Sequence, residues 1–348
     1  MRYIFFVTTV GSIYEAVLPL IEKKRDKGEI LVVVGTDEAE KFFSEFTDFK
    51  LIRVKVNPNL IDKKAKYKII GNIIRSKLEY RKLFKDIKDS EIYFCGCSFS
   101  IVIYSYVKKL SKNNKVFHCG NTADEKFIDY PIEKSFRAYI MRWVAKWLMG
   151  VETIIGNRMG VPIWMLDNKF FKNITQINDY GDIETTSKKY ANKVDIIKDK
   201  EILITIGDLL EGGGNYAESE SFIKATDELI TILEKKYPGS YVIKPHPREN
   251  KLYGKMAECK NIIPPHIPAE FLMDHPWKTV IGTVSTTLLS ASEKKIPRVI
   301  SIMDLFQWTE KGKREKEMWR ENMIKNKNIL IPEDLKELKS VLRKQNQI

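Results

Sequence analysis

Short runs of consecutive apolar residues alternate along the chain with longer stretches in which apolar residues return every three or four positions. YIFFVTT is followed by a helical pattern over residues 13–24, ILVVVG by one over 38–46, and LIRVKV by a long basic one over 60–84; EIYFC, a helix over 98–110 and KVFHC continue the series. Unbroken apolar runs suit strands buried on both faces, and parallel neighbours need a helical crossover to return to the same edge. The pattern therefore predicts a parallel sheet wrapped by helices, a Rossmann-like unit. The segment YANKVDIIKDK, residues 190–200, is polar and weakly periodic, and after it the alternation restarts. EILITIG, a helix over 216–236, SYVIKPHP, NIIPP, a short helix from Pro268, KTVIG, a helix over 285–294 and RVISI make a second unit. Two α/β domains are expected, over residues 1–195 and 196–348, facing a central cleft, with the last helix packing back on the first domain. No internal repeat is present.

Composition narrows the class. A chain of 348 residues exceeds what one growing core usually serves. Its 43% apolar and 30% charged content is that of a soluble globular protein, and no run approaches the roughly 20 apolar residues that span a bilayer. Gly11, Ser12 and Glu15 break the apolar start into a strand and a helix, unlike a signal peptide, so a cytoplasmic location is expected. Lys and Arg number 59 against 46 Asp and Glu, a net +13 that favours an anionic partner: nucleic acid, a membrane surface or a phosphorylated small molecule. The positive charge is spread along the chain and no nucleic-acid module is legible, so no nucleic-acid partner is expected. Cys95, Cys97, Cys119 and Cys259 lack a second ligand pair at zinc spacing and read as structural.

In open α/β sheets, ligands sit beyond the carboxyl ends of the strands. There the second unit carries Gly207 with Glu211-Gly212-Gly213-Gly214, then Lys244-Pro245-His246-Pro247-Arg248, then Gly282-Thr283-Val284-Ser285-Thr286-Thr287. Hydroxyls at a helix N-terminus favour a phosphate; Lys244 and His246 add donors, and flanking prolines restrict the histidine's backbone. Singly, Ser285 and Thr286 read as helix caps, His246 as a turn histidine and the glycines as a pliant loop. Their recurrence at successive strand ends points to a site.

These residues also carry a resemblance. KPHPRE, IPAEFL and IGTVSTTLLSAS, within residues 200–305, resemble the carboxyl-terminal half of bacterial sialyltransferases of glycosyltransferase family 52 and their polysialyltransferase relatives. The resemblance implies a GT-B fold of two Rossmann-like domains and an inverting transfer of sialic acid or a related nonulosonic acid from a CMP-sugar to a glycan acceptor. It assigns the phosphate and ribose of CMP to His246-Pro247 and Ser285-Thr286, with Glu270 near the nucleotide; Lys244 and Gly282 are counted with the nucleotide site from their places at the strand ends. The donor is a substrate, and no cofactor is implied.

An inverting transfer needs a base for the acceptor hydroxyl. The acidic-acidic-Gly motif that the resembled families often use has no strict copy here, which leaves His118 in FHCGNTADE, Asp124 downstream of it, and Glu211 in LLEGGG. No convincing D-x-D metal motif stands at a strand end, so a metal-independent reaction is expected. In TTVGS, residues 8–12, Gly11 permits close ligand approach. In EKSFRAYIMRWVAKWLMG, Phe136, Ile140, Trp143, Val144 and Trp147 recur at helical spacing beside Lys134, Arg137, Arg142 and Lys146. Such a helix commonly packs its apolar face into a core; the other reading is peripheral contact with an anionic membrane. Rival readings of the whole chain are a GT-B enzyme using a UDP- or CDP-activated donor, an epimerase, or a non-catalytic sugar-nucleotide-binding protein.

Overall fold

A computed structural model of the chain describes residues 1–7, 17–55, 69–95, 101–119, 134, 136–144, 146–147, 150, 153–158, 161–166, 174–177, 179–207, 209–210, 215–247, 251–326 and 328–343. The chain divides into two compact units, Met1–Thr186 and Ser187–Ile348. Each is built on a parallel sheet with Rossmann-like crossovers.

In the first unit β1 (Arg2–Val7), β2 (Glu29–Val34), β3 (Lys50–Arg53), β4 (Glu91–Cys95) and β5 (Lys115–Cys119) join β8 (Thr175–Ile177) in the order β3-β2-β1-β4-β5-β8. Every pairing in this sheet is parallel. On one face Ile4, Phe6, Ile92 and Phe94 form a core with residues of α3 (Ile69–Phe84) and α4 (Ile101–Leu110). On the other, Phe5, Tyr93 and Phe117 stack across the strands at 4.8 and 5.0 Å between ring centroids. The first two crossovers carry α1 (Leu18–Lys24) and α2 (Asp37–Phe46); Thr36 caps α2 by accepting the Ala39 N–H. Residues 8–16 and 56–68, which include TTVGS, lie outside the described residues.

The second sheet takes β9 (Ile202–Ile206), β10 (Tyr241–Pro245), β11 (Thr279–Gly282), β12 (Val299–Ser301) and β13 (Ile329–Leu330) in the order β10-β9-β11-β12-β13, again all parallel. The strand order reverses between β9 and β11, which is where such sheets open a crevice for ligands. Helix α7 (Ser219–Lys236) buries Phe222, Ala225, Thr226, Leu229, Ile230 and Leu233, one stripe of period 3.6. The last helix, α11 (Leu335–Arg343), belongs to this unit, and the Tyr237 hydroxyl donates to the Leu342 carbonyl at 2.6 Å.

Three features differ from the sequence reading. The stretch that reads as polar and weakly periodic is structured: α6 (Ile183–Ala191) and a 3-10 turn at Asp195–Ile197 bury Ser187, Tyr190, Ala191, Val194 and Ile197, with Tyr190 6.0 Å from the Phe271 ring. Their helical spacing is diluted by intervening lysines, which is why the stretch reads as polar. A two-stranded antiparallel sheet, β6 (Thr153–Arg158) with β7 (Val161–Leu166), stands apart from the parallel pattern. Finally, α5 (Phe136–Val144) does not bury its aromatic face: Phe136, Tyr139, Ile140, Trp143 and Trp147 are all exposed.

Close packing between strands fixes one glycine. A Cβ on Gly282 would lie 2.4 Å from Thr205 Oγ1 and 3.1 Å from Leu288 Cδ2. Gly282→Ala should therefore lower unfolding stability by about 1–3 kcal/mol. In urea titrations that loss should shrink in a Thr205→Ala background, where the obstructing hydroxyl is gone; equal losses in both backgrounds would refute the contact.

Candidate active site

The site is assembled by register. Lys244 of β10, Thr205 of β9, Gly282 of β11 and Ser301 of β12 lie side by side across the sheet. Thr205 and Ser301 are buried hydroxyls in otherwise apolar strands. Beyond this row the chain turns, and Thr283, which is fully buried, joins the turns. Its hydroxyl accepts the Gly207 N–H at 3.0 Å, and its carbonyl accepts the Ser301 hydroxyl at 2.5 Å. A Cβ on Gly207 would fall 2.6 Å from Thr283 Oγ1, so glycine lets the two strand ends close up.

The turn held by Thr283 delivers Ser285 to the start of α9 (Thr286–Glu293). Ser285 is the N-cap, extended at φ −165°, and its Oγ accepts the Thr287 N–H at 3.1 Å. A capping serine keeps its own hydroxyl proton to donate, so capping and anion contact are compatible roles. Ser285 is half-buried and Thr286 exposed, at the positive end of the helix dipole.

Two strands away, β10 ends in the KPHP turn. Lys244 is only 3% exposed, and its ammonium donates to the carbonyls of Pro245 at 2.5 Å and Pro265 at 3.2 Å. Backbone bonds between Ile243 and residues 261–263 lay this second segment along β10. Lys244 thus supports the turn from beneath, tying it to the Pro264-Pro265-His266 turn. His246 and Pro247 are half-buried above it. Glu270, in a 3-10 helix at Ala269–Asp274, is half-buried as a residue, yet burial of its carboxyl raises its pKa, partly countered by Lys244. Since the carboxyl is the group that titrates, the upward direction holds. Burial pushes the Lys244 ammonium down to about 7, and Glu270 opposes the shift.

His118 lies in the first unit, on β5, 9% exposed, with its ring 4.9 Å from that of Phe94. Burial lowers its pKa to about 4. Asp124 and Glu211 lie outside the described residues. The second unit thus brings His246, Pro247, Lys244, Glu270, Gly282, Ser285 and Thr286 to one end of its sheet. The sequence reading missed the organising roles of Thr205, Thr283 and Ser301; the signal was a lone hydroxyl within ILITI and within RVISI, and one directly after β11. Among the described residues no group of three or more His, Cys, Asp or Glu side chains could hold a metal ion. An open depression of about 510 Å³ at Arg2, Gly28, Glu29 and Lys88–Ser90 lies at the amino ends of the first sheet's strands, away from the ends that hold ligands.

Residues 151–303 match the family model described as alpha-2,8-polysialyltransferase (POLYST), a stretch that contains the KPHP turn, Glu270 and the start of α9. Over that stretch, a little under half of its length, the chain is similar to the polysialyltransferase family. The matched stretch begins well before the 200–305 expected from motifs. No curated protein matches the chain significantly. Solved structures similar to it include the glycosyltransferase of kitacinnamycin (8% identity, 98% of this chain and 89% of that one, TM-score 0.49). Others are the GT-B domain of a Photobacterium damselae sialyltransferase (12%, 95% and 100%, 0.43) and an E. coli heptosyltransferase (11%, 99% and 98%, 0.42).

The position of Lys244 has a titration signature. Its folded pKa lies below the ordinary 10.5, so the folded state binds fewer protons between about 7 and 10.5. The stability this contributes is full above 10.5 and is lost as pH falls toward about 7. Urea midpoints of wild type should therefore gain on those of Lys244→Met as pH rises from 7 to 10, and parallel pH profiles would contradict the buried ammonium.

Proposed function

We propose that this sialyltransferase-like glycosyltransferase moves sialic acid or a related nonulosonic acid from its CMP ester to a glycan acceptor, on a cell-surface polysaccharide or a lipid-linked glycan, with inversion and without a metal ion. The observation that carries the reading is the pairing of Ser285-Thr286 at the N-terminus of α9 with the KPHP turn, on the sheet end where the strand order reverses. In the reaction, the bond between the anomeric carbon and the phosphate oxygen breaks, and its electron pair leaves with the phosphate. The acceptor oxygen bonds to the opposite face of that carbon and gives its proton to a base. Charge gathering on the departing phosphate meets the helix dipole, the Ser285 and Thr286 hydroxyls and the His246 ring, with Ser285 already held as the helix cap. Lys244 acts one layer lower, holding the turn that carries His246. Glu270 lies beside it and would face the nucleoside.

The base is drawn from His118, Asp124 and Glu211. His118 is neutral at neutral pH and so able to accept a proton, but a pKa near 4 makes it a weak base.

Thermal unfolding with CMP, CDP, UMP and UDP should show selective stabilisation by CMP, lost in His246→Ala. CMP-sialic acid with mixed glycans, read by mass spectrometry, should yield a transferred product. A sharper variant is Ser285→Asp, which still caps α9 and suits its dipole but sets a negative charge against the phosphate. It should keep wild-type stability to within about 1 kcal/mol and lose CMP stabilisation. Undiminished CMP binding by Ser285→Asp, or preferential stabilisation by UDP or CDP, would overturn the assignment.

A further inference from the structure

Helix α5 leaves its apolar side in water. Phe136, Tyr139, Ile140 and Trp143 are spaced by three, one and three residues, so they fall in one stripe, and Trp147 in the next turn continues it. All five are between 43% and 78% exposed. The Trp143 and Trp147 rings stack with centroids 5.8 Å apart and planes inclined by 7°. A contiguous patch of this kind is uncommon on a soluble protein and marks a surface that something covers.

Charge and composition choose the occupant. No acidic residue occurs from Lys134 to Trp147, while Lys134 and Lys146 are exposed and Arg142 is half-buried, in a chain of net charge +13. An anionic surface complements this helix. Tryptophan and tyrosine, apolar in body and polar at one edge, suit the boundary between lipid headgroups and acyl chains. The helix has nine residues, and among the described residues no helix is long and apolar enough to cross a membrane. It would therefore lie in the plane of the surface.

We propose that α5, together with Lys146 and Trp147, docks the protein on an anionic lipid bilayer, with the aromatic stripe at the headgroup boundary and Lys134, Arg142 and Lys146 toward the lipid phosphates. The inference is independent of the donor: it rests on the first unit, whereas the nucleotide reading rests on the second.

The test uses the full chain and sedimentation with phosphatidylcholine vesicles, with and without phosphatidylglycerol. Wild type should pellet with the anionic vesicles and be released by salt. Trp143→Ser with Trp147→Ser, both at exposed positions, should keep the wild-type circular dichroism spectrum and lower partitioning by about tenfold or more. Trp143→Phe with Trp147→Phe should retain binding yet lose most of the fluorescence quenching by brominated lipid. Failure to bind anionic vesicles, equal binding by the serine variant, or full quenching in the phenylalanine variant would each overturn the proposal. So would a wild-type dimer that the serine variant dissociates without any vesicle binding, since the stripe would then be covered by a second copy.

Discussion

The hydrogen bond from the Gly207 N–H to the buried Thr283 hydroxyl is the tie on which the second unit's working end depends. It crosses the gap where the strand order reverses, between the ends of β9 and β11, the place where such a sheet would otherwise splay. Leaving a buried polar group unpaired costs about 1–3 kcal/mol, so the hydroxyl, the amide and the Ser301 group that meets the Thr283 carbonyl hold one another in place. The start of α9 inherits its aim from this arrangement.

Much of the fold was legible because parallel sheets demand it. ILITI, SYVIKP and KTVIG are apolar on both faces, and the helix between the first two shows a clean 3.6-residue stripe from Phe222 to Leu233. The reading failed where two periodicities overlap. Tyr190, Val194 and Ile197 are core residues, but lysines between them mask their spacing, so the segment reads as polar and weakly periodic. Conversely, Phe136 to Trp147 has the spacing of a core-facing helix and does not face the core. Periodicity reports that an apolar stripe exists and says nothing of what it meets.

The candidate site divides in the same way. Residues that project from strand ends, His246 and Ser285 among them, announce themselves by sitting next to glycine, proline or a helix start. Residues that act from underneath do not. Lys244 reads as a ligand from its place in KPHP, and only its burial against two proline carbonyls reveals a support. Thr205 and Ser301 look like ordinary strand residues until register sets them in one row.

Gly282 bears on how such a protein can diverge. With the Thr205 hydroxyl occupying the space where a first side-chain carbon would stand, that point of the β-layer tolerates almost no variation, and its two neighbours are bound to it by sterics rather than by chemistry. Drift toward another nucleotide or another acceptor must then be carried by the connecting segments downstream of β9 and β10. The platform beneath them stays constant while its furnishings change.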